Sequence, residues 1–312
     1  MKKKLFFAVY LAVASVCLFA QSTDNDSSKS QRVNISMGSS RHIFGDYILQ
    51  KKFPVKVMLE SGIPYPILDS TFVFTHKDEL NISLSESNLT MNFVGKKMKC
   101  PYITTDSIFL NNMYYKGQVL IADLGPERQL MYPIHTFKNL DDADSRIIKL
   151  NISEKYIEPL TRKELEQEIK GYDKFPMKNG GYGNMYVMDS KFTILANKHY
   201  YSMKGEFLLD LGNASFLFLM EQHPSCKTFL ENSDIKVQQG RNNKGELIPV
   251  KAFWTSECRI ASHSFEDVTV AITQSLPKFT SAGVLGLKFF ECFSVIFDYD
   301  ENVVYLRKIK RK

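Results

Sequence analysis

The feature that most constrains this chain is an apolar run in its second half that ends in an acidic residue and a glycine. Residues 207–219 read FLLDLGNASFLFL, so the run delivers Asp210 to a turn made of three residues: Leu211, Gly212 and Asn213. Glycine permits a tight turn and a close backbone approach where a Cβ atom would clash. The segment therefore predicts a carboxylate at the end of a buried strand, held in one orientation by the amides of the turn.

A second glycine turn follows nearer the C-terminus. Residues 282–306 place Leu285 and Gly286 between apolar neighbours, before a short helix-prone stretch, an apolar strand, an Asp-rich turn and a last strand. Gly286 would let two segments of the chain pack closely. The spaced pair of glycine turns, with strand-rich sequence between them, is much more specific than either turn alone.

The first half of the chain carries the same signal in altered form. Residues 53–63 read FPVKVMLESGI, an alternating strand that places Val55, Val57 and Leu59 on one face. The strand runs into Glu60, Ser61 and Gly62. A turn and a short helix are predicted directly after it, and strands are predicted at residues 89–94, 107–110 and 114–121.

Together these segments resemble the lobes of the pepsin and retropepsin families of aspartic peptidases, of the two-lobed, bacterial exported type. The family motif is two apolar residues, then Asp, Thr or Ser, Gly and a small residue, with a partner turn of two apolar residues and Gly that opens a short helix. The resemblance implies a mainly β, two-lobed acid-protease fold with a few short helices. It also implies that Asp210 and Glu60 form the catalytic carboxylate pair. Each lobe supplies one of the two acids, and both lobes belong to one monomeric chain.

The first-half match departs from the family pattern. Glu60 stands in the Asp position, and its extra methylene carries the carboxyl group about 1.5 Å further, a displacement that matters where catalysis depends on placement. Leu211 replaces a hydroxyl residue, and the expected glycine is missing from residues 131–135 (MYPIH). Asp69 is a rival acid, but Thr71 stands where the glycine should be, so a helix N-cap role is favoured for it.

The mechanism implied by the resemblance needs no metal and no cofactor. Two carboxylates in close contact share one proton, so that the ionised member activates a water and the protonated member polarises the scissile carbonyl group. The expected substrate is a peptide or unfolded protein, bound as an extended strand. Acidic pH is expected to favour this singly protonated pair.

The first residues are typical of a targeting segment. Lys2–Lys4 form a basic start, Leu5–Cys17 is apolar, and a cleavage point follows Ala20. Residues 1–20 are thus predicted to be a signal peptide for export to the periplasm or the extracellular space. Cys17 raises lipid attachment as an alternative, although Val16 is a poor match to the small residue expected before a lipidated cysteine.

The remaining chain is predicted to divide into four parts. Residues 21–31 are polar and predicted to be disordered, and the first β lobe spans 32–170. A linker is predicted at 171–184 and the second β lobe at 185–312. No other segment is long and apolar enough to span a bilayer. The net charge of +6 is concentrated partly at the two ends, and without an aromatic-interleaved basic stripe it does not indicate nucleic-acid binding.

Cysteines and histidines give no competing motif. Four cysteines follow the signal segment, at positions 100, 226, 258 and 292, with no C-x-x-C pair. Cys100 is expected to be unpaired, and one bridge among the other three is possible in an exported protein. The six histidines show no metal-binding spacing, and a thiol nucleophile at Cys226 after His223 is much less favoured than a structural role.

Three functions remain open from the sequence. The first is an exported aspartic endopeptidase. The second is a peptidase-like pair of lobes that has lost catalysis and binds a peptide or a surface partner between them. The third is a β-rich adhesion or scaffolding protein. Glu60 separates the first two, because its reach decides whether the carboxylate pair can form.

Overall fold

The computed structural model describes residues 32–38, 41–93, 96–142, 145–180, 185–241, 247–273 and 280–309. The predicted signal segment and the polar stretch at 21–31 lie outside these residues. The described chain is mainly β, as predicted, with five short helices.

In the N-terminal half the strands are β1 (Val33–Met37), β2 (Ile43–Leu49), β3 (Phe53–Glu60), β4 (Ile67–Asp69), β5 (Ser85–Phe93), β6 (Lys96–Thr104), β7 (Ile108–Leu110), β8 (Met113–Tyr115), β9 (Val119–Ala122), β10 (Leu130–Pro133), β11 (Lys138–Asn139), β12 (Ile147–Asn151) and β13 (Tyr156–Leu160). The helices are α1 (Ser70–Thr75), α2 (Lys77–Leu80) and α3 (Arg162–Glu168). Helix α3 begins with a capping box formed by Thr161 and Glu164.

In the C-terminal half the strands are β14 (Asp173–Asn179), β15 (Tyr186–Ala196), β16 (His199–Leu209), β17 (Leu217–Met220), β18 (Lys236–Arg241), β19 (Leu247–Thr255), β20 (Cys258–Ile260), β21 (His263–Phe265), β22 (Val268–Thr273), β23 (Gly283–Leu285), β24 (Phe293–Asp298) and β25 (Val303–Lys308). The helices are α4 (Pro224–Glu231) and α5 (Leu287–Phe290).

The two halves repeat one order of strand pairing. In the first, β3 pairs with β2 and lies parallel to β10, and β10 is antiparallel to β4. Strand β4 is parallel to β9, which pairs with β6 of the β5–β6 hairpin. In the second, β16 pairs with β15 and lies parallel to β23, and β23 is antiparallel to β17. Strand β17 is parallel to β22, which pairs with β19 of the β18–β19 hairpin. The repeat is therefore one of topology, although the two sequences differ.

A shared sheet joins the halves. Its strand order is β1–β13–β12–β24–β25–β14, with the antiparallel β12–β24 pair at its centre. The largest buried apolar cluster also includes side chains from both halves. Burial of this continuous apolar surface holds the two halves against each other.

The segment predicted as a linker contains a strand. Strand β14 pairs with β25 and β15, and it buries Phe175 and Met177 while Lys174 and Lys178 are exposed. These two lysines thus lie on the solvent face of a strand with alternating burial. Of the glycine-rich part of the predicted linker, residues 181–184 lie outside the described residues.

The four described cysteines, at positions 100, 226, 258 and 292, are all buried, and none of them forms a disulfide. The bridge considered for the second half is therefore absent from the described residues. These thiols act as small apolar side chains within the packing of the sheets. No helix among the described residues is long and apolar enough to cross a membrane.

Candidate active site

Asp210 follows the last residue of β16, next to β23. Its backbone N–H donates to Leu285 O at 3.0 Å, and its Oδ1 accepts from Gly212 N–H at 2.9 Å. Asn213 N–H donates to the Asp210 carbonyl oxygen at 3.2 Å, closing the turn. The carboxylate is thus oriented by its own turn, as the apolar run followed by glycine predicted.

Gly286 has a steric reason to be glycine. A Cβ atom added there would lie 2.4 Å from both Asn213 O and Ser215 O, well inside contact distance. Leu287 N–H donates to Asn213 O at 2.6 Å, and α5 begins at that residue. The predicted glycine turn and short helix therefore lie directly against the Asp210 turn.

Glu60 is the last residue of β3 and is only 4% exposed. Its carbonyl oxygen accepts from Ile134 N–H at 2.9 Å, which ties it to the segment after β10. Leu59 pairs with Tyr132 as Leu209 pairs with Leu285. By this register, Pro133 takes the place of Gly286, so the glycine missing from the first-half sequence is replaced by proline at a strand end.

The two acid turns meet. The Ser61 hydroxyl oxygen accepts a 2.9 Å hydrogen bond from Leu211 N–H. A Cβ atom added to Gly212 would lie 3.2 Å from Asp210 Oδ1 and 3.6 Å from Glu60 Oε2. Oxygen atoms of both carboxylates therefore lie close to the position that a Gly212 side chain would take, and that position is left open because residue 212 is glycine. Gly62 lies in turn beside the Met185 side chain, whose Cε would be 3.4 Å from an added Cβ.

Burial raises the pKa of both acids. Burial, with a smaller contribution from the Asp210 charge, raises the pKa of Glu60 to about 8, against the opposing effect of Arg128. Burial also raises the pKa of Asp210, but the backbone N–H groups of Gly212 and Asn213 oppose this rise by stabilising its carboxylate. Both shifts favour retention of a proton by the pair above the pH at which a free carboxyl group would lose it.

Sequence reasoning missed two charged or titratable neighbours of Glu60. His42 Nε2 lies 4.0 Å from Glu60 Oε1, and Arg128 acts on the Glu60 charge while its Nε donates to Leu124 O. His42 precedes β2, which pairs with the strand that ends in Glu60, so the hairpin register carried a signal for it. Arg128 comes from a distant loop and left no such signal.

The rival acid has a structural role. Asp69 is the N-cap of α1, where its Oδ1 accepts from Phe72 N–H at 2.8 Å, and its Oδ2 accepts from Leu124 N–H at 3.0 Å. The N-cap prediction is therefore confirmed.

The thiol nucleophile considered from the sequence is buried in packing. Cys226 lies in α4 with its Sγ 3.6 Å from Ala282 O, and burial raises the pKa of its thiol to about 11. His223 Nδ1 is hydrogen-bonded to Ser225 at the N-cap of the helix. A thiol with so high a pKa is a poor nucleophile.

Among the described residues, no group of His, Cys, Asp and Glu side chains is arranged to hold a metal ion. No protein-family model matches the sequence, and a comparison with curated proteins gives no match.

Proposed function

We propose that this protein is an exported aspartic endopeptidase that hydrolyses peptide bonds through Asp210 and Glu60. The observation that carries the proposal is the meeting of the two acid turns: both carboxylates border Gly212, and the Ser61–Leu211 hydrogen bond joins their loops. Two facing carboxyl groups, of which Glu60 is buried with its pKa raised, are suited to combined acid and base catalysis.

The repeated strand pairing supports a two-lobed fold like that of pepsin and retropepsin. Each half ends its parallel-paired strand at one acid, and the shared sheet keeps the halves together. Because one chain supplies both acids, the proposed enzyme is complete as a monomer. The basic and apolar start of the sequence supports export.

The proposed reaction assigns a different role to each acid. The Asp210 carboxylate takes a proton from a water molecule, whose oxygen attacks the scissile carbonyl carbon. Glu60, protonated, donates a hydrogen bond and then its proton to the carbonyl oxygen. Collapse of the tetrahedral intermediate breaks the C–N bond, Asp210 returns its proton to the amine, and the hydroxyl proton returns to Glu60. The peptide lies extended between the halves, bound by main-chain hydrogen bonds.

The pH dependence follows from these roles. Cleavage requires an ionised Asp210 and a protonated Glu60, so kcat/KM should fall on the acid side as Asp210 gains a proton. It should fall again on the alkaline side near pH 8, as Glu60 loses its own. Burial of Glu60 thus extends the expected working range from acid to neutral pH.

The test is cleavage of a reduced, carboxymethylated protein and of a broad peptide library across the range from acid to mildly alkaline pH. New peptide termini should appear with wild type and disappear with Asp210→Asn and Glu60→Gln. No cleavage at any pH by pure, folded wild type would overturn the proposal, as would full cleavage by Asp210→Asn.

A second candidate function is peptide binding without catalysis. It is favoured by the asymmetry of the turns: Leu211 has no hydroxyl to return the hydrogen bond that Ser61 accepts, and Glu60 reaches further than an aspartate. In that case the same library should yield peptides that bind wild type without turnover. Their binding should weaken when the site is altered by Gly212→Leu.

A further inference from the structure

His42 lies opposite Glu60 in the register of the β2–β3 hairpin. Ile43 in β2 pairs with Leu59 in β3, so continuing this antiparallel register by one step places His42 directly opposite Glu60. Directly opposed residues project to the same face of a sheet with their Cβ atoms close together. The 4.0 Å separation of His42 Nε2 and Glu60 Oε1 agrees with this placement.

The backbone fixes His42 from the other side as well. Gly38 N–H donates to His42 O at 2.9 Å, and Arg41 N–H donates to Gly38 O at 3.0 Å, with Arg41 in the left-handed region at φ 60°. The His42 side chain is only 15% exposed. The imidazole is thus held beside the acid and partly shielded from water.

The corresponding position in the other half has different chemistry. Val187 pairs with Leu208, and the continued register places Met185 opposite Asp210. Gly180 N–H donates to Met185 O at 2.7 Å, as Gly38 donates to His42. One acid of the pair therefore has a titratable partner, and the other has an apolar thioether.

We propose that His42 is a positioning residue that orients the Glu60 carboxyl group toward Asp210 by donating a hydrogen bond to it from Nε2. A glutamate side chain has one more rotatable bond than an aspartate, so its carboxyl group needs an additional contact to be fixed. A small rotation brings Nε2 from 4.0 Å into hydrogen-bond range, and catalytic hydrogen bonds are often long before substrate binds.

The other charged groups at Glu60 do not duplicate this role. Asp210 faces Glu60 from the opposite turn and opposes its ionisation, whereas Arg128 and the Ser61 backbone favour it. Arg128 Nη1 lies 3.3 Å from Met58 Sδ on β3, and its Nε donates to Leu124 O, so it reaches β3 from the loop between β9 and β10. His42 differs from Arg128 because it lies opposite Glu60 in the same hairpin.

The first experiment reads Glu60 directly and does not depend on catalysis. Side-chain carboxyl titration of Glu60 is followed by carbon-13 NMR in wild type, His42→Leu, His42→Gln and the exposed control His199→Leu. In His42→Leu the pKa of Glu60 should rise by about one unit, because its carboxylate loses the proposed hydrogen-bond donor. In His42→Gln, which keeps a polar group at similar reach, the rise should be smaller, and His199→Leu should match wild type. An unchanged Glu60 titration in folded His42→Leu would overturn the inference.

The second experiment rests on the proposed function. In His42→Leu, kcat should fall about a hundredfold, as expected for a misplaced reacting group, with KM within about twofold and the alkaline limb moved to higher pH. His42→Gln should recover part of kcat. Wild-type cleavage with an unchanged His42→Leu profile would reject the role of His42 alone. Absence of wild-type cleavage would reject the peptidase proposal, and the NMR titration would still decide the role of His42.

Discussion

The Ser61 hydroxyl oxygen accepts a hydrogen bond from the backbone N–H of Leu211, 150 residues further along the chain. Ser61 is 8% exposed and Leu211 is 1% exposed, so the bond is shielded from water. It links the residue after one acid to the residue after the other. The relative placement of Glu60 and Asp210 therefore depends on a contact between loops that belong to different halves of the chain.

Removal of that hydroxyl should destabilise the protein and its site together. Ser61→Ala leaves the buried Leu211 N–H without its acceptor, which should lower the free energy of unfolding by about 1–3 kcal/mol. Urea unfolding measures this loss, and kcat should fall in the same variant. Ser61→Thr keeps the hydroxyl and serves as the matched control; equal stability of all three proteins would contradict the assigned role of the bond.

Asp210→Asn should remove the base with little change in shape. Asparagine keeps the side-chain oxygen that accepts from Gly212 N–H, so the turn should persist. The proposed cleavage should fall by about a thousandfold, within the range for loss of a general base. Initial rates on a fluorogenic peptide provide the measurement. Asp69→Asn, at the α1 N-cap, is the control and should keep its activity if the protein remains folded.

Glu60 should make stability depend on pH. Its pKa is about 8 in the folded protein and near 4.3 in an unfolded chain, so the folded state binds the proton more tightly. The contribution of Glu60 to the free energy of unfolding is fully present below its pKa in the unfolded chain. It declines by on the order of 4 kcal/mol as pH rises from about 4.5 to about 8. Urea unfolding at about pH 5 and about pH 8 should show this decline in wild type.

The matched variants for this measurement are Glu60→Gln and Glu231→Gln. Glu60→Gln should lose much of the decline, because the amide does not titrate. Glu231 is exposed on α4 beside Lys227. Glu231→Gln should therefore show the same decline in stability with pH as wild type. A decline of the same size in Glu60→Gln would assign the effect to other groups.

Gly286→Ala should be far more disruptive than Gly62→Ala in the Glu60 turn. The new Cβ atom would meet two backbone carbonyl oxygens at 2.4 Å, neither of which can move without shifting the Asp210 turn. A loss of more than about 3 kcal/mol is expected for such overpacking against backbone. Gly62→Ala meets only the flexible end of Met185 at 3.4 Å and should cost about 1 kcal/mol or less, which thermal unfolding of the two variants can compare.

Cys226→Ser should leave any cleavage intact. The Cys226 thiol is buried with its pKa raised to about 11, so it does not supply a thiolate near neutral pH. Folded wild type should also react slowly with a thiol reagent that labels it rapidly in urea. Loss of cleavage in a stable Cys226→Ser protein would reopen the thiol mechanism considered from the sequence.

The sequence by itself determined the elements whose causes are local. The alternating residues before Glu60 and the apolar run before Asp210 form the strands that they predict, because burial on a pleated sheet selects that pattern. Asp69 caps its helix through a contact three residues away. Gly286 could be identified because a glycine between apolar residues, directly before a short helix, is typical of a turn that a second segment approaches closely.

Only the tertiary structure decided how distant segments meet. The approach of Glu60 to Asp210 and the Ser61–Leu211 hydrogen bond depend on the packing of loops from the two halves. Strand β14 lies in the segment predicted as a linker, and its pairing with β25 depends on residues about 130 positions further along the chain. The pKa of Glu60 was equally inaccessible, since it is set by burial and by charges brought near from other parts of the chain.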